Sequence, residues 1–173
     1  MGKRSSFERN PRDYYPTPES AVLPLLPYVS GDFIEPCAGD GRLIRKLEKH
    51  GLRCTYACDI EPQNAGIEKQ DALSFGFQLP QTPLIITNPP WKRNRDGTGP
   101  LHEMINRFRQ HAATWLLFDA GWMFTSQAVP FLRYCSRIVP VGRVSWMDNG
   151  QTGLDDCCWY EFGTEQTRPV FMV

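Results

Sequence analysis

The stretch FIEPCAGDGRLIRKL, residues 33–47, passes from strand to tight turn to helix. Phe33 and Ile34 open an apolar β run. Gly39 and Gly41 tolerate the left-handed backbone that a sharp turn demands, and Leu43, Ile44 and Leu47 return at helical spacing before Gly51. Such a turn lets a ligand approach the main chain closely and aims the first N–H groups of the helix at it. Downstream the alternation continues, with strands expected at 53–60, near 67–70, at 83–87 and at 114–120, and helices at 101–112 and 126–135. Strands alternating with helices of about ten residues predict a parallel sheet covered on both faces. Two strand-like runs, 142–148 and 156–162, flank the turn formers of NGQTGLD and predict a closing hairpin that makes one edge antiparallel.

Upstream, Thr17, Pro18 and Glu19 spell a helix start: a hydroxyl N-cap, a proline at the first helical position and an acid at the positive end of the dipole. That helix is expected to reach Tyr28, made irregular by Pro24 and Pro27. Residues 1–16 carry Lys3, Arg4, Arg9 and Arg12 without a hydrophobic period and read as a basic N-terminal arm. Residues 17–173 read as a single domain, since no repeat or linker marks a second.

Lys plus Arg and Asp plus Glu are both 19, so the formal net charge is zero and any polyanion site must be a local patch. The cysteines at 37, 54, 58, 135, 157 and 158 include no CxxC pair, which argues against a disulfide framework and for a reducing cytoplasm. Cys54 and Cys58 are expected on one strand face as small buried hydrophobes. No run approaches the ~20 apolar residues of a membrane span, and the start has no apolar signal core. A soluble protein without a membrane partner is expected.

The glycine turn lacks the third glycine of the dinucleotide fingerprint, and Glu35 precedes it. A carboxylate there would repel a pyrophosphate but suits an ammonium or a sulfonium group, both carried by S-adenosylmethionine. Asp59, 18 residues after Gly41 at the end of the next strand, is placed to accept from ribose hydroxyls. Asp71 is placed to accept from an adenine amino group. The competing reading of Glu35 and Asp71 is that they are ordinary loop acids.

A second unusual stretch ends the strand at 83–87: Asn88, Pro89, Pro90 and Trp91, followed by Lys92, Arg93 and Arg95. An exocyclic amine on a heteroaromatic ring, or a carboxamide, is a poor nucleophile because its lone pair is delocalised. A site can raise its reactivity by accepting both protons, here through Asn88 Oδ1 and the Pro89 carbonyl, with the prolines stiffening the backbone. Trp91 would add a flat wall for a planar substrate. The competing reading is a proline turn beside a core tryptophan. Lys92, Arg93 and Arg95 adjoin this pocket and are read as phosphate contacts. Trp122 and Phe124 could flank a base, with core packing the alternative. His102 and His111 are assigned no role.

These residues resemble the S-adenosylmethionine-dependent amino-methyltransferases, and among them small phage-type adenine-N6 DNA methyltransferases. EPCAGDGRL resembles their first motif, NPPW their catalytic motif, DYYPTPES their cofactor-contacting Thr-Pro segment, and QTGLDDCCWYEF their closing hairpin. The likeness implies a Rossmann-like class I methyltransferase with a mostly parallel seven-stranded sheet and a C-terminal antiparallel hairpin strand. It also implies a catalytic role for Asn88, Pro89, Pro90 and Trp91, and a flipped target base. Tyr15, Thr17, Glu35, Pro36, Ala38, Gly39, Gly41, Asp59 and Asp71 would line S-adenosylmethionine, with S-adenosylhomocysteine as product and no metal required. The expected partner is DNA, duplex or single-stranded. No insertion is large enough for a separate target-recognition domain. The alternatives are methylation of cytosine N4, of adenine in RNA or of protein glutamine, and a non-catalytic nucleic-acid-binding module.

Overall fold

A computed structural model of the chain describes residues 14–74, 83–91, 99–146, 153 and 155–172. Among them a sheet of eight strands runs in the order β3-β2-β1-β4-β5-β7-β6-β8. The strands are β1 Asp32–Glu35, β2 Arg53–Asp59, β3 Glu68–Lys69, β4 Leu84–Thr87, β5 Thr114–Asp119, β6 Cys135–Gly142, β7 Cys157–Phe162 and β8 Val170–Phe171. β7 lies antiparallel to both β5 and β6, and every other pairing is parallel. The mostly parallel sheet with an antiparallel C-terminal strand is as expected, with β8 added at the edge beyond the seven.

Alternation along β1 divides the interior. Phe33 joins Ile86, Trp115 and Leu117 on one face, under α1 (Glu19–Val22) and α2 (Arg42–Lys49). Ile34 joins Ile85, Leu116 and Phe118 on the other, under α3 (Pro100–Phe108) and Trp122. β5, at the centre, is buried along Thr114–Phe118, the continuous run that a strand covered on both faces requires. A register shift in the β1–β2 pairing sends Cys54 towards one core and Tyr56 towards the other. Cys58 stays beside Tyr56, so the shared face expected for Cys54 and Cys58 is not formed.

Three local expectations are corrected. Pro18, not Thr17, caps α1, and the chain tightens into a 3-10 turn over Leu23–Tyr28, where Pro24 and Pro27 cannot donate to an α-helical ladder. The helix expected at 126–135 is a 3-10 turn, Ser126–Ala128, followed by α4 (Val129–Leu132). The closing hairpin pairs Cys135–Gly142, not 142–148, with Cys157–Phe162. Pro140 masks that strand in the sequence, and it sits at a register shift where the ladder tolerates it.

In the four-residue α1 the Leu23 N–H reaches the Glu19 carbonyl, but Pro24, three residues after Ala21, has no N–H to offer the Ala21 carbonyl. The fully buried Trp159 satisfies it, donating from Nε1 to the Ala21 carbonyl at 2.7 Å and tying α1 to β7. Trp159→Phe is expected to cost about 2 kcal/mol in urea unfolding, from the stranded carbonyl and the lost ring volume. A change near zero would show that α1 docks without this bond. No helix among the described residues is long and apolar enough to cross a membrane.

Candidate active site

The strand order reverses between β1 and β4, and the crevice beyond the carboxyl ends of strands at such a reversal is where ligands bind in open α/β sheets. β1 ends at Glu35, β4 is followed by Asn88, and the two strands are hydrogen-bonded neighbours. A cavity of about 620 Å³ opens there, well within the size range of small-molecule sites.

One wall is the glycine turn. Gly39 has φ +54° and Gly41, which caps α2, has φ +79°. Asp59, at the end of β2, holds the turn with both carboxylate oxygens: Oδ2 accepts from Gly39 N and Oδ1 from Glu61 N, each at 2.8 Å. Gln63 N donates to the Gly39 carbonyl at 2.9 Å, locking the two loops together. Asp59 therefore shapes the turn as well as lining the cavity, a role its spacing alone did not reveal. Asp71 Oδ1 accepts from Leu73 N at 2.9 Å while the residue lines the far side.

The opposite wall carries Asn88. Its Nδ2 donates to the Tyr15 carbonyl at 3.2 Å and to Thr17 Oγ1 at 3.3 Å, and its Oδ1 accepts from Trp91 Nε1 at 3.1 Å. The Thr17 hydroxyl, expected to cap a helix, instead receives this amide. Tyr15 and Thr17 thus join the N-terminal segment to the Asn-Pro-Pro-Trp stretch.

Of the residues expected to form the site, Tyr15, Thr17, Glu35, Pro36, Ala38 and Gly39 line this one cavity, together with Asp59, Asp71, Asn88 and Pro90. Gly41, Pro89 and Trp91 do not line it. Lys92, Arg93 and Arg95 lie outside the described residues. Trp122 is fully buried and donates to His102 Nε2 at 3.0 Å, so it packs in the core and gives His102 a structural task. Phe124, 85% exposed, is left as an aromatic surface beyond β5.

No protein-family model and no curated protein matches this sequence. Solved structures do. One is a Listeria monocytogenes protein assigned to the class I S-adenosylmethionine-dependent methyltransferases. It superposes with a TM-score of 0.54 at 10% identity, over 88% of this chain and 60% of its own. Another is a dimethyladenosine transferase from Plasmodium falciparum, with a TM-score of 0.54 at 14% identity, over 86% of this chain and 62% of its own. The fold is that of the class I methyltransferases. This chain spans about three-fifths of the length of these two structures, 60% and 62%.

Within this methyltransferase fold, sequence reading missed Tyr14 and Asp40, which also line the cavity. Tyr14 packs so closely on the turn that a Cβ built on Gly39 would lie 2.5 Å from its Cε2. The paired tyrosines of DYYPTPES were the available signal, but nothing in the pair tells which ring faces the turn. Asp40 accepts from Arg42 N at 2.9 Å and pairs with the Arg42 guanidinium, fixing the start of α2.

Glu35 is 1% exposed, and its Oε2 has no hydrogen-bond partner. Burial first, then the negative charges of Asp59 and Asp40, push its carboxyl well above the ordinary 4.5. Below that ordinary value the group is protonated in folded and unfolded chains alike. Above it the unfolded chain ionises while the folded one holds its proton, so folding loses stability as pH rises towards the native value. Glu35→Gln removes this loss. The ligand-free variant is expected to melt higher than wild type at neutral pH, with the gap closing below 4.5. An equal or lower melting temperature at neutral pH would contradict a buried Glu35 whose carboxyl is raised above its ordinary value.

Proposed function

We propose that this protein transfers a methyl group from S-adenosylmethionine to the exocyclic N6 amine of adenine in DNA. The observation that supports the reading is one cavity lined by both an acidic glycine turn and Asn88 with Pro90. Among the described lining residues, Asp40, Asp59, Glu61 and Asp71 are acids beside the buried Glu35 carboxyl, which a cation seated against it would draw towards its ionised form. Arg42 is the one cation there, and it is already paired with Asp40. Such a lining fits a cationic cofactor and disfavours a phosphorylated one. The unpartnered Glu35 Oε2 is a buried acceptor that a cationic or hydrogen-bonding group would satisfy. When bound, S-adenosylmethionine supplies a methyl carbon made electrophilic by its positively charged sulfur.

The chain's own residues then orient and polarise. Asp59 lines the cavity with one lone pair on each oxygen beyond those used by the turn, enough to accept from ribose hydroxyls. Asp71 accepts from the adenine amino group of the cofactor. Asn88 Oδ1, on the cavity wall, accepts a hydrogen bond from an N–H of the target amine, which localises its lone pair for attack; as the N–C bond forms, the methyl's bond to sulfur breaks, S-adenosylhomocysteine leaves and the nitrogen gives up one proton to solvent. An adenine in duplex DNA must leave its stack to reach Asn88, at a cost of a few kcal/mol. Phosphate contacts from Lys92, Arg93, Arg95 and the basic arm 1–16 offset that cost.

The test is transfer of labelled methyl to unmethylated duplex DNA, single-stranded DNA, RNA and a protein extract side by side. Label in DNA supports the reading. Label in RNA or protein alone would shift the substrate to the corresponding amine or carboxamide, and cofactor binding without transfer would leave a binding module.

A further inference from the structure

We infer that Trp91 is a positioning residue that holds the Asn88 acceptor in place through its indole N–H, and that it does not serve as a stacking wall for the substrate. This rests on the reading of Asn88 as the acceptor for the target amine. Trp91 Nε1 makes a shared hydrogen bond, donating to the Leu117 carbonyl at 3.0 Å and to Asn88 Oδ1 at 3.1 Å. Leu117 belongs to β5, so the indole anchors the chain after β4 to the neighbouring strand. The ring packs against the cores on both sides of the sheet and meets Trp146 edge-on, with centroids 5.4 Å apart and planes at 89°. It does not line the cavity that Asn88 and Pro90 line. Swinging out to meet a base would break both hydrogen bonds and strip the ring from both cores.

The Asn88 amide is held so that only one of its two orientations fits. A main-chain carbonyl can only accept and an indole N–H can only donate. The Tyr15 carbonyl at Nδ2 and the Trp91 N–H at Oδ1 therefore exclude the flipped amide, which would set donor against donor and acceptor against acceptor. Trp91 takes one lone pair of Oδ1 and leaves the other for an incoming amine. Without the indole N–H, the amide loses the contact that fixes its oxygen, and the acceptor is aligned for only part of the time. The loss should fall on the rate of the chemical step and not on substrate binding.

The decisive variants replace Trp91 by phenylalanine and, at that single position, by benzothienylalanine, which keeps the bicyclic ring and substitutes sulfur for N–H. A positioning role predicts that both lower kcat by about tenfold, the equivalent of one lost hydrogen bond, with KM for DNA within about twofold of wild type. A stacking role predicts that benzothienylalanine behaves as wild type, and that result would overturn the inference. A thermal shift with S-adenosylhomocysteine checks that each variant folds. A readout independent of activity is proton exchange in the wild-type protein. The Trp91 indole proton and the Asn88 side-chain amide should exchange slowly, the latter faster in Trp91→Phe, and rapid exchange of both in wild type would also overturn the inference. If wild type transfers methyl to no acceptor, the proposed function fails, while proton exchange still decides whether Trp91 holds Asn88.

Discussion

Asn88→Ala is expected to lower kcat for methyl transfer by about a hundredfold to a thousandfold, the usual cost of removing one preorganised polar group aimed at a developing charge. The acceptor Oδ1 disappears, and the target amine keeps its delocalised lone pair. Affinity for S-adenosylhomocysteine should change little, because the turn, Asp59 and Asp71 are held by bonds that do not involve Asn88. The substitution also releases the Tyr15 carbonyl and the Thr17 hydroxyl, and Thr17→Val isolates part of that effect by removing one of the two contacts alone. Thr17→Val should cost at most a few-fold in kcat. Single-turnover rates and calorimetry on the three proteins separate the roles. Equal losses of rate and cofactor affinity in Asn88→Ala would mean that Asn88 acts only as a brace for the N-terminal segment.

Gly39→Ala carries the second large effect, on cofactor binding. Gly39 sits at φ +54°, where an L side chain pays about 1–2 kcal/mol, and its new Cβ would meet Tyr14 Cε2 at 2.5 Å. The tyrosine ring can move, but only by leaving the wall it forms over the turn. The Gly39 N–H to Asp59 bond would be disturbed with it, so Asp59 and the turn shift together. Affinity for S-adenosylhomocysteine is expected to fall about tenfold to a hundredfold, with a melting temperature lower by several degrees. Gly31→Ala is the control: at φ +82°, with nothing within 4 Å of a new Cβ, it pays the backbone strain and touches no part of the cavity. It should lower the melting temperature and leave cofactor affinity intact. Matching losses of affinity in the two variants would show that Gly39 matters through overall stability alone.

Both main walls of the cavity were readable in the sequence because each depends on residues with few substitutes. Gly39 and Gly41 take left-handed backbone, and the Asn-Pro-Pro stretch stands out at a strand end in a sheet that already carries such a turn. What stayed hidden was set by distant partners. Thr17 has the chemistry of a helix cap, and only the approach of Asn88 across 71 positions diverts its hydroxyl. Trp91 has the flat ring of a stacking residue, and nothing in its neighbours foretells that its N–H meets the Leu117 carbonyl of β5. The strand Cys135–Gly142 is hard to read because a proline such as Pro140 argues against a ladder, while the register shift that accommodates it is a property of the pairing with β7. Local chemistry wrote the turn and the Asn-Pro-Pro stretch, and tertiary contacts decided how their neighbours pack around them.

The most direct test of the account is nucleoside mass spectrometry of unmethylated DNA incubated with the purified protein and S-adenosylmethionine. N6-methyladenine as the only new nucleoside, absent from reactions with Asn88→Ala, is the predicted result. N4-methylcytosine, a carbon-methylated base, or unchanged DNA in the presence of a cofactor that demonstrably binds would contradict it.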